Sequence, residues 1–175
     1  MSADAAPLID RDDERQRLRD LLATGVPQLV LMYGRRRVGK TFLLNRVWGG
    51  TPAFYFTAAE TTPAQNRVAL LLAFAEWSGQ SLHLEDYPTW RSVFRLLLEH
   101  QSPAPFAITL DEFQYLGEDE AGLREVGSEL NAVWEARRAE RPLVLILAGS
   151  SLRLLERLNA GGSPLYGRFA WQSSK

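Results

Sequence analysis

Apolar residues recur along this chain in two alternating modes, short unbroken runs and helically spaced stripes. Asp12 to Leu22 is charged, with Leu18, Leu21 and Leu22 at helical spacing, and predicts a short amphipathic helix ended by Gly25 and Pro27. Gln28 to Tyr33 (QLVLMY) is an apolar run of strand length bounded by turn residues. Residues from about Lys40 to Trp48 read as helical and stop at Gly49-Gly50. Ala53 to Thr57 is aromatic and strand-like. Pro63 to Trp77 predicts a helix with proline in its first turn, its apolar positions falling at 68, 71, 72 and 74–75. Thr89 to Glu99 sets Trp90, Val93, Phe94, Leu97 and Leu98 on one helical side. Phe106 to Leu110 reads as a strand, Ala121 to Ala139 as a long amphipathic helix, Leu143 to Ala148 as a strand and Leu152 to Leu158 as a helix. Strands separated by helices imply a parallel sheet covered on both faces. The pattern holds no repeat and no linker, so residues 1–175 form one α/β domain.

Composition narrows the function. A length of 175 residues lies within the roughly 100–200 of a single domain and suffices for a core without staples. The absence of cysteine excludes a disulfide framework, a thiolate metal site and a cysteine nucleophile, and suits a reducing compartment. With 20 Lys+Arg against 21 Asp+Glu, the net charge of -1 argues against a globally basic nucleic-acid binder. The longest apolar runs, Val68 to Ala75 and Leu143 to Ala148, fall far below the roughly 20 residues of a membrane span. The first residues lack the apolar stretch of a signal peptide, so the expectation is a cytoplasmic protein with no membrane partner. His83 and His100 are too far apart to suggest a metal site. The aromatic residues follow helix or strand periodicity and read as core, leaving no direct nucleic-acid site evident. One detail hides in the charge total: 18 of the basic residues are Arg, and the two lysines are Lys40 and Lys175.

Lys40 stands in GRRRVGKT, Gly34 to Thr41, which fits the phosphate-loop pattern G-x-x-x-x-G-K-[ST] between a strand and a helix. Gly34 and Gly39 let the backbone turn tightly, so that the amides from Gly34 through Arg35, Arg36, Arg37, Val38 and Gly39 to Thr41 and Phe42 converge on phosphate oxygens. The helix that starts near Lys40 adds its positive dipole end. Lys40 would reach the β- and γ-phosphates, and the Thr41 hydroxyl would coordinate Mg²⁺. The three arginines either strengthen the positive field at the nucleotide or form a solvated surface.

A phosphate loop needs a carboxylate for the cation and a group that activates water. Phe106 to Leu110 ends in Asp111-Glu112, 71 residues after Lys40. Asp111 is the candidate metal ligand, acting through water, and Glu112 the candidate base. The strand Leu143 to Ala148 ends in Gly149-Ser150-Ser151. Ser150 is a candidate sensor of the γ-phosphate, while Ser151 suits the helix cap. Arg168, in Pro164-Leu-Tyr-Gly-Arg168, is either an arginine that stabilises transition-state charge or a surface ion-pair partner.

Together these segments resemble the archaeal-type ATPases of the STAND branch of AAA+ P-loop NTPases. The resemblance is carried by Ile9-Asp-Arg-Asp-Asp-Glu14, GRRRVGKT at 34–41, DEFQYL at 111–116, AGSSLRLLERL at 148–158 and SPLYGR at 163–168, and it spans nearly the whole chain. It implies ATP and Mg²⁺ as cofactors, a three-layer sandwich with a five-stranded parallel sheet, and a conformational switch coupled to hydrolysis. It also places Ile9 and Arg11 near adenine, makes Ser150 the sensor and sets Arg168 on a γ-phosphate of the same or a neighbouring subunit. Family members continue past SPLYGR through a last strand and a helical lid. Here Phe169 to Gln172 would be the beginning of that strand, cut short, so the last strand and lid are expected to be missing. Self-association or a partner protein would complete the sheet and lid. The alternative function is an ATP-binding interaction switch, or an inactive fragment, with little turnover for want of the lid. A small-molecule kinase or a GTPase is disfavoured: no Asn-Lys-x-Asp motif is present, and Glu directly after the metal Asp suits attack by water.

Overall fold

The computed structural model describes residues 12–34, 43–44, 46–102, 105–137 and 142–173. Five parallel strands form one sheet: β1 (Gln28–Tyr33), β2 (Ala53–Thr57), β3 (Phe106–Asp111), β4 (Leu143–Gly149) and β5 (Trp171–Ser173). Their spatial order is β2-β3-β4-β1-β5. The helices are α1 (Asp12–Ala23), α2 (Pro63–Ser78), α3 (Trp90–Leu98), α4 (Glu120–Arg137) and α5 (Leu152–Leu158). Two short 3₁₀ turns, Leu84–Asp86 and Phe113–Leu116, carry no periodic signal and escape a reading by hydrophobic spacing.

Alternation along the central strands divides the core into the two layers that a parallel sheet requires. Leu29 and Leu31 of β1, Ile108 and Leu110 of β3, and Leu145 and Leu147 of β4 face one way, against side chains of α2, α3, α4 and α5. Val30, Met32, Ala107, Val144, Ile146 and Ala148 face the other way, against Leu18 and Leu21 of α1 and Leu43, Leu44, Val47 and Trp48. Every residue of β3 and β4 is buried, which is why both strands read as unbroken apolar runs. Leu43, Leu44 and Arg46 are helical, the Val47 N–H bonds the Leu43 carbonyl at 2.9 Å, and Gly49 takes a φ of 60° where that segment turns.

Local chemistry sets the helix ends. Thr62 caps α2 by accepting from the Gln65 N–H at 3.2 Å, Pro63 takes its first turn, and Gly79 closes it in the left-handed region. Thr89 and Ser92 form a reciprocal capping box on α3. Asn66, polar yet only 1% exposed in the first turn of α2, has a different task. Its side chain accepts from the Ala59 N–H and donates to the carbonyls of Ala59 and Tyr115, each at 2.9 Å, bracketing the β2–α2 connection to the turn after β3. Asn66→Ala is expected to destabilise the fold by about 2 kcal/mol, because it strands these part-buried groups. The measurement is a denaturant midpoint at unchanged slope; a loss within 0.5 kcal/mol, about the scatter of an ordinary surface substitution, would refute the bracket.

The last strand, expected to be missing, is present in short form. β5 pairs in parallel with Val30 to Met32, and the Ala170 N–H bonds the Leu29 carbonyl at 2.8 Å. Trp171 packs against the α1 side of the core and the Ser173 hydroxyl donates to Glu14 of α1, so three residues find enough partners to hold β1's outer edge. That edge is therefore covered over its middle rather than left open.

Candidate phosphate and catalytic site

The sheet order decides which loops meet. β4 lies between β1 and β3, so the residues after β4 separate the end of β1 from the end of β3. Tyr33 pairs with Gly149, and Leu110 with Leu147, which brings Glu112 level with Gly149. At this carboxyl end of the sheet the Gly34 N–H bonds the Gly149 carbonyl at 3.3 Å. The start of the phosphate loop is thus joined directly to the segment carrying Ser150.

Asp111 closes β3 and is 5% exposed. Its Oδ1 accepts the Glu112 N–H at 2.8 Å, and its Oδ2 accepts the Tyr55 hydroxyl from the neighbouring strand. An acceptor-only carboxylate fixed by two donors suits a hard cation that takes oxygen ligands. Asp111 therefore fits Mg²⁺. Thr41, the other expected ligand, lies outside the described residues, as do Ile9, Arg11 and the loop members Arg35, Arg36, Arg37, Val38, Gly39, Lys40 and Phe42.

Glu112 has the left-handed backbone, φ 52° and ψ 39°, a conformation costing a non-glycine residue about 1–2 kcal/mol. Phe113 and Leu116, both buried in the 3₁₀ turn that follows, hold this reversal in place. The carboxylate is sent toward the end of β4. There its Oε2 accepts the Ser150 hydroxyl at 2.8 Å, the Ser150 N–H at 3.3 Å, and the Gln114 amide.

Ser150, the expected sensor, donates its hydroxyl to Glu112 at 2.8 Å, which ties it to the candidate base. Ser151 occupies the cap position of α5, but its side chain makes no cap hydrogen bond, because ψ of 89° falls short of the extended geometry capping needs. Tyr33, at the mouth of the loop, has its phenol pKa raised by burial and by the charge of Glu156, which keeps it protonated.

Arg168 lies elsewhere. Its Nε meets Glu135 Oε1 at 3.1 Å and Asn131 Oδ1 at 3.4 Å, both on α4. Two residues on, Ala170 bonds Leu29 near the start of β1, five positions and about 16 Å from Gly34 at strand spacing. The structure does not bring Arg168 to the Glu112–Ser150 group of its own chain. His100 packs against Phe74, Trp77 and Phe106 with ring centroids 5.1–5.5 Å apart, as a core residue does.

Three participants escaped sequence reasoning: Tyr55, Gln114 and Gly149. Gln114 was visible inside DEFQYL without a role. Tyr55 and Gly149 gain theirs only from strand register.

Comparison with solved structures fixes the architecture. The α/β fold with its five-stranded parallel sheet matches those of solved ATPase and ORC proteins. The Walker-type ATPase of Pyrococcus abyssi superposes with a TM-score of 0.61 at 24% identity, over 98% of this chain and 56% of that one. The Aeropyrum pernix ORC2 protein, in its ADPNP–ADP complexes, gives 0.67 at 18% identity, over 95% and 48%. Drosophila ORC bound to DNA gives 0.62 at 15% identity, over 99% and 44%. In sequence, 163 residues are 25% identical to an uncharacterized protein of Methanocaldococcus jannaschii, covering 91% of this chain and 34% of that protein. The chain thus spans about a third of this relative and roughly half of each matched structure. No family model matches. Among the described residues, no helix is long and apolar enough to cross a membrane.

Proposed function

We propose that the chain is the ATP-binding and ATP-hydrolysing core of a Mg²⁺-dependent ATPase, of the STAND branch of AAA+ proteins. The observation that carries this reading is the convergence of Gly34, Asp111, Glu112 and Ser150 at the carboxyl ends of three adjacent parallel strands. Open α/β sheets bind ligands at that end. The fold shared with the Walker-type ATPase and with ORC2, which was solved with ADPNP and ADP, supports a nucleotide as the ligand.

The residues divide the work. Backbone amides from Gly34 to Thr41 would cradle the phosphates, and Lys40 would contact the β- and γ-oxygens. Thr41 and Asp111 would hold Mg²⁺, which would supply charge neutralisation there. Glu112 accepts a proton from water as the water oxygen attacks the γ-phosphorus. The bond from phosphorus to the β–γ bridging oxygen breaks, its electron pair leaves with ADP, and inorganic phosphate is the second product. Ser150, bonded to Glu112, would report the γ-phosphate through that carboxylate and so couple hydrolysis to a conformational switch. Arg168, remote from its own chain's Glu112, fits action on a neighbouring subunit after exchanging Glu135 for phosphate. That reading implies self-association of the chain. The DNA of the Drosophila complex belongs to that protein and forms no part of this proposal.

The test is ATP binding and phosphate release by the purified chain. Release is expected to need Mg²⁺ and to stop when EDTA removes it. Release that persists in EDTA would overturn the metal assignment, and ATP binding without release would favour an interaction switch.

A further inference from the structure

Gln114 follows the candidate base by two positions and is 6% exposed, although its side chain is polar. Its Nε2 carries two hydrogens. It donates to Glu112 Oε2 and lies 3.4 Å from Ser150 Oγ, joining the two candidate catalytic side chains. Its Oε1, by contrast, is buried with no hydrogen-bond partner among the described residues. That oxygen lies against Gly149, where an added Cβ would overlap it and would also come within 2.8 Å of Leu155 Cδ1. Burying an amide oxygen unpaired is unfavourable, and an apolar side chain of the same size would avoid it. What an apolar side chain cannot supply is the pair of N–H groups.

We propose that Gln114 is the positioning residue of Glu112, and that Gly149 is small in order to admit it. This rests on the hydrolytic reading above. Glu112 Oε2 is held by Gln114 and by both donors of Ser150, which leaves Oε1 as the oxygen that takes the proton from water. The Ser150 hydroxyl, the Ser150 N–H and the Gln114 amide converge on that one oxygen, and Gln114 is the donor that comes from outside the β4 segment. Without Gln114 the carboxylate keeps only the donors of Ser150, and its two oxygens exchange roles more readily. Small misplacements of a reacting group slow a reaction by up to about a hundredfold while leaving binding intact.

The test pairs kinetics with side-chain NMR on the full chain. In Gln114→Met, a residue of similar size without the donors, KM for ATP is expected to stay within about twofold while kcat falls about 10–100-fold. Gly149→Ala, which pushes the same amide away from β4, is expected to show the same split. An unchanged kcat in Gln114→Met overturns the proposal, and so does a joint loss of ATP binding, thermal stability and kcat. Independently of turnover, the Gln114 amide resonances, assigned by their absence from Gln114→Met, are expected to shift in Glu112→Gln and in Ser150→Ala without nucleotide. Resonances indifferent to Glu112→Gln overturn the link. Should the wild-type chain bind ATP and release no phosphate, the hydrolytic reading fails, and these resonances alone decide whether Gln114 holds Glu112.

Discussion

Lys40→Ala is expected to weaken ATP binding by about 10–100-fold or more. The ammonium is a compact charge with three donors, and charge-assisted bonds to phosphate contribute about 1.5–3 kcal/mol each, with every 1.4 kcal/mol a factor of ten. Arginine replaces lysine almost everywhere in this sequence, and the loop's own variable positions are Arg35, Arg36 and Arg37. Those neighbours do not substitute for Lys40, because a planar guanidinium is longer and cannot enter the same cradle as a point charge. Lys40→Arg is accordingly expected to be impaired as well. The measurement is a titration with a fluorescent ATP analogue, with the thermal midpoint as control. Retention of wild-type affinity to within threefold would remove Lys40 from the site.

Glu112→Gln is expected to do the reverse, keeping ATP and losing turnover by about 10²–10⁴-fold, the range for removing a general base. The substitution preserves size, and the glutamine carbonyl can still accept from Ser150. What disappears is the capacity to take a proton. A variant that accumulates bound ATP, seen as co-eluting nucleotide after rapid desalting, is the outcome consistent with this role. Turnover at the wild-type rate would mean that the water is activated by another group. The two variants together separate binding from chemistry, since one empties the site and the other fills it without product.

Much of the fold was legible in the sequence, for a definite reason. β1, β2 and α5 coincide with their predicted ranges because short apolar runs and leucine stripes bounded by glycine, proline and polar residues leave little freedom. The predicted strands at 106 and 143 each lengthen by one residue, Asp111 and Gly149, at the strand tips. The site was legible where it follows a linear pattern, as Asp111-Glu112 does. It was illegible where it depends on which strands are neighbours. Nothing local states that Ser150 will reach Glu112, or that Tyr55 will reach Asp111 across β2 and β3. The role of Gln114 was hidden twice, by the left-handed turn at Glu112 and by the space left at Gly149. Arg168 shows the limit from the other side: its motif left a charge-stabilising arginine and a surface ion pair both open, and only the fold sets it beside Glu135.

The placing of β4 between β1 and β3 has a further consequence for how the molecule comes into being. β1, β2 and β3 precede β4 in the chain, yet β1 touches neither of the other two in the finished sheet. While the chain is synthesised, β3 can zip onto β2, but β1 waits with both edges open until more than a hundred later residues have emerged. Such distant pairings form slowly. Assembly of the candidate site is therefore a late event, arriving with β4, which joins β1 to β3 and seats Ser150 against Glu112, while β5 covers β1's outer edge only afterwards. Until then the strand meant to present the phosphate loop is the segment most exposed to wrong partners.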